Sequence, residues 1–140
     1  MARKSEPFSI RLSKGTLDLV AREAERTRRS KGAVVESLAE EAMRMRRFPG
    51  IAFREEDWNR RAWVIGTGLD VWEVIALVRS LGSPEAVTSD YQLSESQVAT
   101  ALAYHGEFPE EVDAMIAKNQ RPLEELQREY PHITDTHTAE

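Results

Sequence analysis

Phe8-Ser9-Ile10-Arg11-Leu12 alternates apolar and polar side chains over five residues. As a strand, it puts Phe8, Ile10 and Leu12 on one face and Ser9 and Arg11 on the other. A lone strand of this length leaves a row of backbone N–H and C=O groups unpaired and one apolar face uncovered. The simplest completion is the same strand from a second copy of the chain. The product is a two-stranded ribbon, a shape that enters the DNA major groove.

Moving outward, residues 1–6 read as a short basic arm ahead of the strand. Ser13 is a good N-cap, and Leu17, Val20, Ala21 and Ala24 then recur at helical spacing. Thr27-Arg28-Arg29-Ser30-Lys31-Gly32 breaks that pattern and starts a second helix, with Val34, Leu38, Ala42 and Met45 in one stripe and Val35 and Ala39 beside it. Phe48-Pro49-Gly50 stops the helix and marks a domain boundary. Three parts follow: a front domain over residues 1–48, a helical domain over 49–119, and an extension over 120–140 that looks frayed toward its end.

In the second part, Ile51 and Phe53, then Trp63-Val64-Ile65, suggest a small hairpin or an extended connection. Gly66-Thr67-Gly68 reads as a turn. Helices at 70–80, 84–91 and 94–105 are then predicted from their start signals. Asp70 with Glu73 and Ser94 with Gln97 are capping-box pairs, and Ser83-Pro84 is an N-cap followed by proline at the first helical position. Gly106 is expected to end the third helix. Pro109 opens a fourth, which Asn119 can close, and Pro122 begins a short last one.

Charge divides along the same boundary. Residues 1–48 hold 12 Lys and Arg against 7 Asp and Glu, a net +5; residues 49–140 hold 7 against 17, a net -10; together they give the -5 of the whole chain. A basic front and an acidic rear imply two partners of different charge. The chain has no cysteine, which excludes disulfides and thiolate metal sites. No run approaches a membrane span, and the start does not resemble a secretory signal. The expectation is a cytoplasmic protein with no membrane partner.

The order strand, helix, turn, helix over residues 7–47 resembles the ribbon-helix-helix family of Arc and MetJ type repressors. Phe8 to Leu12, Leu17-Asp18-Leu19-Val20, Arg29-Ser30 and Val34 carry the resemblance. It implies an obligate homodimer on operator DNA, with Phe8, Ile10, Leu12, Val34 and Leu38 in the dimer core. The outward strand residues, here Ser9 and Arg11, would read base edges, Arg11 by a bidentate contact to guanine. Pro7, just before them, departs from the family pattern and offers no side-chain donor. Ser30, Lys31 and Gly32 stand at the N-terminus of the second helix, where free N–H groups favour a phosphate. Lys4, Arg28 and Arg29 would add contacts that position the protein without specifying sequence. Arg11 is also the residue type an edge strand uses against aggregation.

The three predicted rear helices have the proportions of a homeodomain-like bundle. The third, however, carries Ser94, Glu95, Ser96, Gln97 and Thr100 and no Lys or Arg. Such a helix suits a protein partner better than phosphate. The run Gly66-Thr67-Gly68-Leu69-Asp70-Val71-Trp72-Glu73-Val74-Ile75, with Ala99, Leu102, Ala103 and Tyr104 and with Pro109-Glu110-Glu111-Val112-Asp113, resembles the domain-of-unknown-function family four-three-three over about residues 50–119. Members occur as antitoxins in VapBC-like pairs with PIN-type ribonuclease toxins. The fold class expected is therefore mainly α with one short β-strand: a ribbon-helix-helix dimerisation domain followed by a homeodomain-like helical bundle.

The resemblances together imply an antitoxin that binds a PIN-type ribonuclease toxin and represses its own operon. Arg54, Arg60, Arg61, Arg121 and Arg128 are candidates to enter the nuclease's carboxylate cluster, with Trp72 as an interface anchor. Equally, Glu107, Glu110, Glu111 and Asp113 could cover a basic RNA groove. The alternative is a stand-alone repressor whose rear half oligomerises or senses a ligand. Gly66-Thr67-Gly68 does not make a dinucleotide loop, because the third glycine position is Val71. His105, His132 and His137 lack metal-ligand spacing. No cofactor, metal or catalytic residue is expected, and the protein is read as no enzyme.

Overall fold

Local capping chemistry starts most of the helices where the sequence predicts. The computed structural model describes residues 6–129, with side chains through residue 120. Lys4, the side chains of Arg121 and Arg128, and residues 130–140 therefore lie outside the described residues. Ser13 Oγ accepts from the Thr16 N–H at 3.4 Å and opens α1 (Lys14–Thr27). Arg28 ends it in the left-handed region, φ 55°, and the Arg29 N–H returns to Ala24 O at 3.0 Å. Ser30 Oγ then accepts from the Ala33 N–H at 3.1 Å and opens α2 (Lys31–Arg47).

The chain divides into two compact units, residues 1–43 and 44–140. The division falls inside α2, a few residues before the predicted boundary at 48. Phe48-Pro49-Gly50 does stop the helix, but Arg44, Arg47 and Phe48 at its end pair or pack with residues of the rear unit. The front unit has a core of three buried residues, Val20, Ala24 and Val34, with Leu12 and Val35 packed against it.

Residues 8–12 carry no strand in the single chain. The expectation of one strand there is corrected: the described residues have two strands, both in the rear unit. A strand exists through its ladder partner, and among the described residues nothing pairs with residues 8–12. The two strands are β1 (Ile51–Arg54) and β2 (Arg61–Val64), an antiparallel hairpin with Ile51 opposite Val64 and Arg54 opposite Arg61. Here the looser of the two readings of residues 51–65, the hairpin, holds.

Behind the hairpin come α3 (Val71–Leu81), α4 (Pro84–Asp90), α5 (Glu95–Glu107) and α6 (Pro109–Glu129). Ser83 Oγ accepts from the Ala86 N–H at 3.2 Å. Ser94 and Gln97 form both halves of their capping box, at 2.9 and 3.1 Å. Two predicted helix ends are corrected. Gly106 lies within α5, and Phe108 caps it through an N–H bond to Tyr104 O at 2.9 Å. Asn119 does not close α6; its side-chain amide donates back to Met115 O at 2.7 Å, and the helix runs on through Pro122 at the loss of one backbone bond. The helices and hairpin enclose one apolar core, including Ile51, Val64, Val74, Ile75, Val87, Val98, Ala101 and Tyr104. No helix among the described residues is long and apolar enough to cross a membrane.

Candidate functional site

In the front unit, three of the five residues expected to pair across a dimer face water in the single chain. Phe8 is 84% exposed, Ile10 60% and Leu38 49%. Leu12 is half-buried, and only Val34 of the expected dimer core is buried. Ser9 and Arg11 are exposed, as are Arg28, Lys31 and Gly32 around the start of α2. Ser30 is occupied as the helix N-cap. Arg29 turns back along the helix, donating to Ser37 Oγ at 3.1 Å and Ala33 O at 3.2 Å. The front unit thus exposes both apolar side chains, Phe8, Ile10 and Leu38, and cationic ones, Arg11, Arg28 and Lys31.

The rear unit is organised around Asp70, a carboxylate only 2% exposed. It sits at the N-terminus of α3, where its backbone N–H donates to Glu73 Oε1 at 3.1 Å. Arg54 at the end of β1 donates through Nε to Asp70 Oδ1 at 2.9 Å and through Nη2 to Gly68 O at 3.0 Å. Arg61 at the start of β2 brings Nε to 3.0 Å from Oδ2, although it is not aligned as a hydrogen bond. The Trp72 indole N–H donates to the same oxygen at 3.2 Å. Three of the four described residues expected to bind a toxin, Arg54, Arg61 and Trp72, therefore converge on one internal acid. The fourth, Arg60, donates to the carbonyls of Glu55 and Phe53, both at 3.1 Å. A buried carboxylate requires such partners.

The Gly66-Thr67-Gly68 turn is part of the same construction. Gly66 has φ +86°, and a side chain there would meet Gln97 Nε2 at 3.1 Å. Thr67 Oγ1 donates to Val64 O at 2.8 Å and accepts from the Leu69 N–H at 3.0 Å. Trp63 donates its indole N–H to Thr67 O at 2.6 Å.

A second cluster escaped the sequence reading. Arg44 Nη1 donates to Tyr104 Oη at 2.8 Å and to both Glu111 oxygens at 3.0 Å, while Tyr104 Oη donates to Glu111 Oε2 at 2.9 Å. The guanidinium lies 3.9 Å from the centre of the Phe108 ring. Burial pushes the Tyr104 hydroxyl above the ordinary tyrosine range, and the neighbouring Glu111 adds to it. Burial pulls Arg44 down, but its bonds to Tyr104 and Glu111 outweigh that and raise it overall. Nearby, Asp113 Oδ1 takes His105 Nε2 at 3.0 Å and Arg79 Nη2 at 2.7 Å. Those two bonds, His105 first, hold its carboxyl below the usual range. Glu107 pairs with Arg47 at 2.8 Å. Three of the four acids expected to cover a basic groove are thus ion-paired inside the unit, and Glu110 stands exposed. No local signal announces these pairs, because the partners lie 60 and 67 residues apart for Arg44.

Among the described residues, no group of three His, Cys, Asp or Glu is placed to hold a metal ion. The fold defines a mainly helical protein with one two-stranded antiparallel sheet. Comparison of the chain with known proteins finds no matching family model, no matching curated protein and no matching solved structure.

Proposed function

We propose that this chain is an autoregulating antitoxin. Its front unit pairs with a second copy through residues 8–12, making a ribbon-helix-helix dimer that reads operator DNA with Ser9 and Arg11. Its rear unit, a homeodomain-like bundle in this reading, binds a PIN-type ribonuclease toxin. Two operator-bound units joined by one toxin assembly would hold DNA more tightly through multivalency.

One observation carries the reading: Phe8, Ile10 and Leu38 are exposed beside a front-unit core of three residues. So small a core does not stabilise a unit of this size, and a unit that exposes both apolar and cationic side chains is completed by a twin and a polyanion together. The runner-up, a stand-alone repressor, gains from Arg54 and Arg61, whose attachment to Asp70 leaves them poorly placed to enter another protein's carboxylate cluster. The test is a footprint of the full chain on DNA upstream of its own gene, with co-expression of the nuclease expected directly downstream. Protection of a two-fold site, relaxed by Arg11→Ala by about 1–3 kcal/mol per contact, and rescue of growth are the expected results. Protection without rescue selects the stand-alone repressor.

A further inference from the structure

The hairpin between β1 and β2 ends in a six-residue loop, Glu55-Glu56-Asp57-Trp58-Asn59-Arg60. Its indole is the anomaly. Trp63 and Trp72 are half-buried and donate their N–H groups within the unit, whereas Trp58 is 84% exposed. Nothing in turning the chain calls for tryptophan, since tight turns favour Asn, Asp and Gly. The loop that carries it is braced. Arg60 holds the carbonyls of Glu55 and Phe53, the Asn59 N–H donates to Glu56 O at 2.8 Å, and Arg61 pairs with Glu55 at 3.3 Å. A large aromatic side chain on a braced tip loses little entropy on binding, which is why tryptophan is enriched among residues that dominate interfaces.

The charge around it selects the partner. The loop carries Glu55, Glu56 and Asp57 against Arg60, a net -2, and Glu55 is already paired with Arg61 at 3.3 Å, so a matching surface has an apolar pocket with a cationic rim. A protein that binds single-stranded RNA can offer both features, cations for phosphates and flat apolar faces on which bases stack. Resting on the antitoxin reading, we propose that the 55–60 hairpin tip is the rear unit's docking anchor, with the Trp58 indole entering a basic-rimmed apolar pocket in the RNA groove of the partner nuclease. The tip then blocks RNA by presenting what a nucleotide presents, an aromatic plane beside negative charge. The internal arginines need not leave Asp70 for this to happen.

The test uses the full chain and the purified nuclease encoded beside its gene. Trp58→Ala is expected to weaken binding by about 30-fold or more, with a nearly unchanged urea midpoint because the side chain is 84% exposed. Trp58→Phe retains most of the affinity. Glu56→Gln with Asp57→Asn slows association several-fold at low salt and much less at high salt. With 5-fluorotryptophan in the chain, the fluorine resonance lost in Trp58→Phe shifts when nuclease is added. Unchanged affinity of Trp58→Ala, or an unmoved resonance in a formed complex, overturns the docking tip while leaving the antitoxin reading intact. A resonance that shifts with chain concentration alone assigns the tip to a second copy and also overturns it. A wild-type chain that binds no nuclease overturns the antitoxin reading, and the docking tip falls with it.

Discussion

The two units use similar residues to opposite effect. The rear unit buries thirteen side chains in one continuous core and places a carboxylate inside it with two arginines and an indole. The front unit has apolar residues at equally regular spacing but buries three. Periodicity therefore tells which face is apolar and not what covers it. Where one chain supplies the cover, as in the rear, the residues disappear from solvent. Where the described residues supply no cover, as at Phe8, Ile10 and Leu38, the apolar side chains stay exposed.

Asp70→Ala should break the comparison from the rear side with the largest effect. It leaves Arg54 and Arg61 facing each other at the loop end of the hairpin, and the expected loss is about 3–5 kcal/mol in urea unfolding. A loss below about 1 kcal/mol would remove Asp70 from the centre of that unit. Leu38→Lys sharpens the front side. If Leu38 is covered by a second copy, the change should cost about 2–3 kcal/mol and make stability depend on concentration; a truly solvent-facing leucine would give a change within about 0.5 kcal/mol. Tyr104→Phe removes one hydroxyl but leaves Arg44 and Glu111 to each other, so about 1 kcal/mol is expected.

The smallest effect belongs to Asp113. Its lowered carboxyl adds stability that is fully present above the ordinary carboxylate range and fades as pH falls through the lowered value. Asp113→Asn should flatten the acid limb of the stability profile, measured as urea midpoints between about pH 5 and pH 2. An acid limb identical to the parent's would show that the His105 and Arg79 contacts do not persist in solution.

What could be read in advance follows the range of the interactions. Ser13, Ser83, Ser94 and Glu73 act within three or four residues, so their helix starts were visible in the sequence. Helix ends were harder, because Gly106 and Asn119 stop a helix only when packing allows, and α5 and α6 continue past them. The candidate cations Arg54 and Arg61 were visible as residues but not as partners of Asp70, 16 and 9 positions away along the chain. Arg44 was hidden further still, since its bonds reach α5 and α6. The exposure of Trp58 is a property of the folded hairpin, which composition does not reveal.

Sedimentation equilibrium of the full-length chain at low micromolar concentration tests the account most directly. A mass twice the 15.9 kDa of one chain, falling to one chain in Ile10→Asp with the rear unit still folded, is the predicted result. A single-chain mass for the wild type at tens of micromolar would contradict it.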